Sequence, residues 1–290
     1  MSVLQLSASL FEGGGTAQAV TEGVGSYAET PSVSFADSSL KEGATITERC
    51  CNMKTALITG GSGAIGSMTA YLAVKKGWQV LLTYHTNQKA ATELQEDLER
   101  IGGKVLLFGG DLTKKEERQR LADFAKEQCG GIDLLVNNFG AAHYCPFTDE
   151  SDETIAEVLL TNLHAHMALT RLLLQTMIAA KSGAIVNVSS VWGQTGGACE
   201  VSYSAAKAGL IGFTKALAKE LAPSGITVNC VAPGVVESKM LADLDREALK
   251  EMIPSGKLCN GLDIAQSILF LAEQEQVTGQ VLAVNGGMYL

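Results

Sequence analysis

From residue 54 onward, short apolar runs alternate with longer stretches whose apolar positions recur every three or four residues. Ala56-Leu57-Ile58, after Lys54-Thr55, is apolar at consecutive positions, the mark of a strand buried on both faces. Similar runs follow at 80–84, 105–108, 132–136, 184–188, 226–231 and 280–284. Helical periodicity fills the gaps at 68–76, 90–101, 115–129, 154–180, 202–221 and 263–271. Gly77 and Gly102-Gly103 stand where the first two of these helices should stop. Such alternation predicts an α/β fold, a doubly wound parallel sheet with helices on both faces. Residues 243–253 interrupt the pattern, and no internal repeat is evident.

Residues 1–52 read differently. They are rich in Gly, Ser, Thr and Ala, with scattered acids and only Lys41 and Arg49 as bases. Their periodicity is weak, so we expect a mostly disordered extension before one catalytic domain at 53–290. The extension has neither the basic start nor the apolar core of a secretory signal, and it carries more acids than a transit peptide. Met53 is a candidate native start, with the segment before it an appended leader.

Charge and composition exclude several function classes. The net charge is −9, which opposes nonspecific nucleic-acid binding. No run reaches the ~18 apolar residues of a membrane span. The seven cysteines are odd in number and form no C-x-x-C, as suits reduced thiols in a cytoplasm. Cys145 and Cys199 fall near the expected cleft, where they read more simply as small packing residues. The four histidines show no metal-ligand spacing, and no metal is expected.

Three features carry chemistry. The turn Thr59-Gly60-Gly61-Ser62-Gly63-Ala64-Ile65-Gly66 lies between a strand and a helix, the context of a dinucleotide-binding turn. Glycines let backbone approach a pyrophosphate, and free N–H groups at the helix start hold its charge. This makes the sheet Rossmann-like. Ser190 ends a strand, where such sheets meet their ligands, and its hydroxyl can donate to a carbonyl. Tyr203 and Lys207 are four residues apart on one helical face. A lysine ammonium ~5 Å away, at an effective dielectric of ~20, favours a phenolate by ~3 kcal/mol, or ~2 pKa units. The spacing therefore predicts a tyrosine shifted down toward a useful general acid.

On these residues the chain resembles the short-chain dehydrogenases/reductases, from about Met53 to the C-terminus. The likeness also rests on Asp111-Leu112, Asn137-Asn138-Phe139-Gly140, Thr161-Asn162-Leu163, Pro233-Gly234 and Asn285-Gly286-Gly287. It implies that Tyr203 exchanges a proton with the substrate oxygen, that Lys207 holds the nicotinamide ribose, and that Ser190 orients the carbonyl. Asn162 matches the asparagine that links the lysine to solvent through water. Cofactor contacts are implied for Gly60, Ser62, Gly63, Ile65 and Gly66 at the turn, for Asp111 and Leu112 at adenine, and for Asn138, Gly140, Pro233, Gly234, Val236 and Ser238. Two departures stand out: Ala64 replaces a glycine, and Phe139 replaces the alanine of N-N-A-G. Neither is expected to touch the catalytic set.

Tyr84-His85-Thr86-Asn87 follows the second strand and contains no acid to accept from a ribose 2′-hydroxyl. We therefore expect NADP(H) over NAD(H), with His85 and Thr86 near the 2′-phosphate. Residues 277–289 are very like the ending of 3-oxoacyl-(acyl-carrier-protein) reductases, which bind an acidic carrier protein through basic residues. Lys181 matches one such base, whereas Ser224 replaces another. Residues 190–201 and 84–88 are similar to a Gram-positive branch that includes the reductase of the 5-aminopentanone group on elongation factor P. There, Trp192 and Glu200 flank the catalytic pair, and Glu200 is placed to meet an amino group. A small ketone or hydroxysteroid is a further alternative, and a cofactor-binding scaffold without turnover is the least favoured. The family also implies a homotetramer packed through 154–180, 202–221 and the last strand, with 243–253 as a substrate lid.

Overall fold

The computed structural model describes residues 53–238 and 245–289; the segment expected to be disordered lies outside them. The strands are β1 Thr55–Ile58, β2 Gln79–Tyr84, β3 Val105–Gly109, β4 Leu134–Asn137, β5 Gly183–Val188, β6 Ile226–Pro233 and β7 Val281–Val284. All pair in parallel, in the order β3-β2-β1-β4-β5-β6-β7. The order reverses between β1 and β4, the switch point at which such sheets take a ligand.

Successive residues of β1 point to opposite sides. Ala56 and Ile58 join one apolar core with Ala70, Ala73, Leu98, Ile264 and Ile268. Leu57 joins the other, with Leu121, Leu169, Leu173, Leu217 and Leu221. One face is thus covered by α1 Ala64–Lys75, α2 Gln88–Arg100 and the last helix. The other is covered by α3 Lys115–Cys129 and two long helices that follow β4 and β5. The five inner strands are buried on both faces, as the consecutive apolar runs require, while the edge strands β3 and β7 are partly open.

The long helix expected at 154–180 is interrupted. It comprises α4 Asp152–Leu159, a π-turn Leu160–His164, and α5 Ala165–Ala180. The apolar rhythm runs through all three parts, so periodicity alone does not reveal the break. π-turns concentrate at functional sites, and this one carries Asn162. A short helix, α6 Trp192–Thr195, precedes α7 Val201–Leu221, which holds Tyr203 and Lys207. The first helix begins at Ala64, four residues before the expected start, because the glycine turn leads straight into it. In the expected lid, α8 Arg246–Glu251 is helical, residues 243–244 lie outside the description, and α9 Gly261–Glu273 follows.

A buried polar ladder ties α7 to the sheet. Asn137 and Asn187 are in register on β4 and β5, and Asn137 Nδ2 donates to Asn187 Oδ1 (2.8 Å) and to Thr170 Oγ1 (2.9 Å). Asn187 Nδ2 donates in turn to Thr214 Oγ1 on α7 (2.8 Å). Buried amides are costly unless paired, so this network fixes the height of α7 against β5.

Candidate active site

The glycine turn leaves β1 and reaches α1 with its backbone packed closely. Gly60 has φ +65°, and a Cβ there would stand 3.0 Å from Phe139 Cα. A Cβ at Gly66 would lie 2.4 Å from the Gly60 carbonyl oxygen, so only glycine lets α1 start this near the turn. Thr59 Oγ1 donates to the Val136 carbonyl and accepts from Asn138 N–H (2.9 Å), while Asn138 Nδ2 donates to the Thr59 and Gly60 carbonyls. These bonds lock β1 to β4 at the switch point. Gly63, the residue before α1, offers no side-chain cap. The first N–H groups of α1 are thus left for an anion.

His85 and Thr86 are exposed at the end of β2, and Asn87 caps α2 through Ala90 N–H. Asp111 lies close enough to His85 to feel its charge. Burial works to raise the Asp111 carboxyl, but the Thr113 hydroxyl and N–H, with His85 and Lys114, hold it below its usual value. Buried Arg118 donates to the Leu112 carbonyl (2.8 Å) and fastens this loop. Sequence reasoning missed Arg118; its signal was a lone charge on the apolar face of α3.

Ser190, Tyr203, Lys207 and Asn162 come together beyond the ends of β4 and β5. The Ser190 hydroxyl lies near enough to the Tyr203 hydroxyl to favour its phenolate. Lys207 Nζ lies 5.6 Å from the Tyr203 ring centroid and donates to the Val188 carbonyl (3.1 Å). Asn162 Nδ2 donates to the Ala141 and Val158 carbonyls, and its Oδ1 accepts from Ala141 N–H. Gly140 joins them: a Cβ there would stand 2.5 Å from Asn162 Oδ1 and 3.4 Å from Lys207 Nζ. Pro233 ends β6, Gly234 packs on Asn285, Val236 bridges to Cys259, and Ser238 is half-buried beside them.

One electrostatic expectation fails here. The Tyr203 phenol is pushed up to about 12, chiefly by burial and further by Glu200, with only the Ser190 hydroxyl opposing. Lys207 is pushed down to about 8, also by burial. The Coulomb argument from spacing left out desolvation, which here outweighs the attraction.

Phe139 packs on a buried histidine. Its ring stacks on His166, with centroids 4.2 Å apart. His166 is fully buried with no hydrogen-bond partner on either ring nitrogen, and burial, then Lys207, brings it down to about 3. This imidazole is neutral throughout the working pH range.

The substrate side of the site is built from the segment after β4 and the one before α7. Glu200 is raised by burial while Trp192 donates a hydrogen bond to its carboxylate. The Glu150 side chain is buried, accepts from Ser202 Oγ (3.0 Å) and lies 3.8 Å from His143 Nε2. Lys181 is placed elsewhere. It precedes β5, at the opposite end of that strand from Ser190, about 20 Å of strand away. No group of His, Cys, Asp and Glu able to hold a metal, and no helix long and apolar enough to cross a membrane, occurs among the described residues.

The glycine cradle, the uncapped helix start and the Ser190–Tyr203–Lys207 cluster fit a nicotinamide dinucleotide. Known proteins agree. The short chain dehydrogenase family model matches residues 54–249. The chain is 42% identical to an uncharacterized oxidoreductase, YmfI, of Bacillus subtilis, over 81% of this chain and 99% of that one. It is 38% identical to the 3-oxoacyl-(acyl-carrier-protein) reductase FabG of Vibrio harveyi and 37% identical to the 3-oxoacyl-(acyl-carrier-protein) reductase of Homo sapiens, each over 82% of this chain and 98% of the relative. With these matches spanning sheet, turn and catalytic helix, the chain belongs to the short-chain dehydrogenase family, oxidoreductases that work with a nicotinamide cofactor.

Proposed function

We propose that the protein is an NADPH-dependent ketone reductase in which Tyr203 donates the proton and Ser190 orients the carbonyl. The carrying observation is the Ser190–Tyr203 hydroxyl pair beyond the strand ends, beside the dinucleotide turn. A bound nicotinamide supplies the hydride. As negative charge grows on the carbonyl oxygen, both hydroxyls donate to it. At neutral pH Tyr203 holds its proton firmly, so the phenol gives it up only as the developing alkoxide demands it. The Lys207 ammonium lies against the ring and favours the phenolate left behind. Asn162 holds the segment after β4 beside Lys207 and lies on the route by which a proton returns from solvent.

For the cofactor, Gly60, Ser62, Gly63, Ile65 and Gly66 receive the pyrophosphate, and Asp111 and Leu112 the adenine. Asn138, Gly140, Pro233, Gly234, Val236 and Ser238 flank the nicotinamide half. Exposed His85 and Thr86, with no acid in the sequence that directly follows β2, support NADPH. Equal kcat/KM with NADH would overturn that preference.

For the substrate, the names of the relatives support a 3-oxoacyl thioester on acyl carrier protein, as in fatty acid synthesis. A second reading has its own observation. Glu200, held by Trp192 next to Tyr203, favours a ketone bearing an ammonium group, such as the aminoketone on elongation factor P. Assembly as a cytoplasmic homotetramer belongs to the same reading, supported by exposed Met167 and Ile178 on α5 and Val201 on α7. Light scattering tests it.

The deciding experiment follows NADPH oxidation with a 3-oxoacyl thioester and with a 5-amino-2-ketone, using Tyr203→Phe as control. Turnover of the thioester, lost in the variant, supports the first reading. Turnover of the aminoketone alone selects the second. Turnover of neither, with NADPH bound, rejects both.

A further inference from the structure

Two free cysteines from separate segments meet through their backbones beside the segment that leads to Tyr203. Cys145 belongs to the irregular segment after β4, and Cys199 to the bend before α7. Cys145 N–H donates to the Cys199 carbonyl at 2.7 Å. By ordinary bond lengths, one such bond places the two Cα atoms roughly 5–6 Å apart. That falls in the roughly 4.4–6.8 Å window a disulfide requires. Both residues are half-buried, so small oxidants can reach them, whereas Cys230 and Cys259 are buried. Cys199 also has φ 61°, and Lys181 is the only other non-glycine residue with positive φ among the described residues. Tyr144 lies near enough to Cys199 for the thiol to push its phenol upward. The mechanism proposed above uses neither thiol.

We propose that Cys145 and Cys199 form a reversible disulfide that gates the substrate cleft, made by hydroperoxides and broken by dithiols. Hydrogen peroxide converts the Cys199 thiol to a sulfenic acid and is itself reduced to water. The Cys145 sulfur then attacks the Cys199 sulfur, its proton leaves with the hydroxyl as a second water, and the S–S bond forms. The order follows from the surroundings. Burial, Asp149, Glu150 and Cys199 all keep the Cys145 thiol protonated, which disfavours it as the first to be oxidised. The bond would join the segment running to Asn162's partner Ala141 with the segment leading to Glu200 and Tyr203, on either side of the incoming ketone. Disulfides of this kind in reducing compartments are transient and regulatory.

The test uses the full chain, reduced and then treated with hydrogen peroxide, with free thiols blocked at once. Peptide mapping should find residues 145 and 199 in one cross-linked species, lighter by two hydrogens. Turnover should fall about tenfold, as for a restrained loop, and return with dithiothreitol. Cys145→Ser should keep full reduced-state turnover, form no cross-link and stop at an oxidised Cys199. Cys199→Ser should give no cross-link and resist peroxide, and circular dichroism checks that both variants fold. A cross-link to any other cysteine, or none, overturns the pairing. A 145–199 cross-link that leaves turnover unchanged overturns the gate. Mass and activity are read separately, so the pairing stands or falls whatever the true ketone.

Discussion

The two sides of this active site are built on opposite principles. On the cofactor side, backbone does the work: Gly60 and Gly66 leave no room for a Cβ, and the Thr59 and Asn138 side chains are tied to neighbouring backbone. On the substrate side, side chains do it, and several are unsatisfied. His143 Nε2, Glu150 Oε2 and Gln194 Oε1 are buried without hydrogen-bond partners, while Tyr144 is 77% exposed. A backbone cradle accepts one ligand shape and tolerates little change. A rim of orphaned polar atoms is set to be completed by whatever enters, which is where relatives of one fold diverge.

Substitutions should separate the sides. The largest effect is expected at their seam. Tyr203→Phe should lower turnover of every ketone about 10³-fold, within the usual range for removing a general acid, while NADPH still binds by fluorescence. If only one ketone suffers, Tyr203 belongs to the rim and the division fails. Next, Gly66→Ala should weaken NADPH binding about 10²-fold, whichever ketone is used, because its methyl would overlap the Gly60 carbonyl. Calorimetric titration with NADPH measures this, and wild-type affinity would show the cradle to be softer than its geometry implies.

A third test probes the floor beneath both sides. His166 titrates near 3 when folded and near 6.5 when unfolded, so the unfolded chain binds the extra proton between those values. Stability contributed by neutral His166 is complete above 6.5 and is lost as pH falls toward 3, at up to about 1.4 kcal/mol per pH unit. Urea titrations should show His166→Leu with a shallower acid slope than the parent. Parallel slopes would mean that the ring escapes burial on protonation. The smallest effect is expected at the rim: Glu200→Gln should raise KM about fivefold for an ammonium-bearing ketone, as for losing a partly screened ion pair, and leave a neutral ketone unchanged. Equal effects on both ketones would assign Glu200 to holding Trp192 and not to the substrate.

The same contrast explains what could be read from the chain. The glycine turn and the helix bearing Tyr203 and Lys207 are local patterns, visible within a dozen residues. The Asn137–Asn187–Thr214 ladder was visible only as amides out of place in apolar strands, because its members pair across 50 and 27 residues. Nothing in the apolar rhythm of 152–180 marked the π-turn at Asn162, since one extra residue per turn leaves the composition unchanged. Tyr203 was misjudged because spacing supplies a Coulomb distance but not a burial. Lys181 lies away from Ser190, and a matched position says nothing of which end of the strand it occupies.

The Phe139–His166 stack has a bearing on how such a sequence changes over time. Truncating Phe139 to alanine alone would open a space beside Lys207 and expose one face of an imidazole that has no hydrogen-bond partner. Enlarging position 166 alone would press on a ring already in contact at 4.2 Å. Each residue is acceptable because of the other, so their double-mutant cycle should be strongly non-additive. A lineage moving between alanine and phenylalanine at position 139 would then change both sites together or pass through a weaker intermediate.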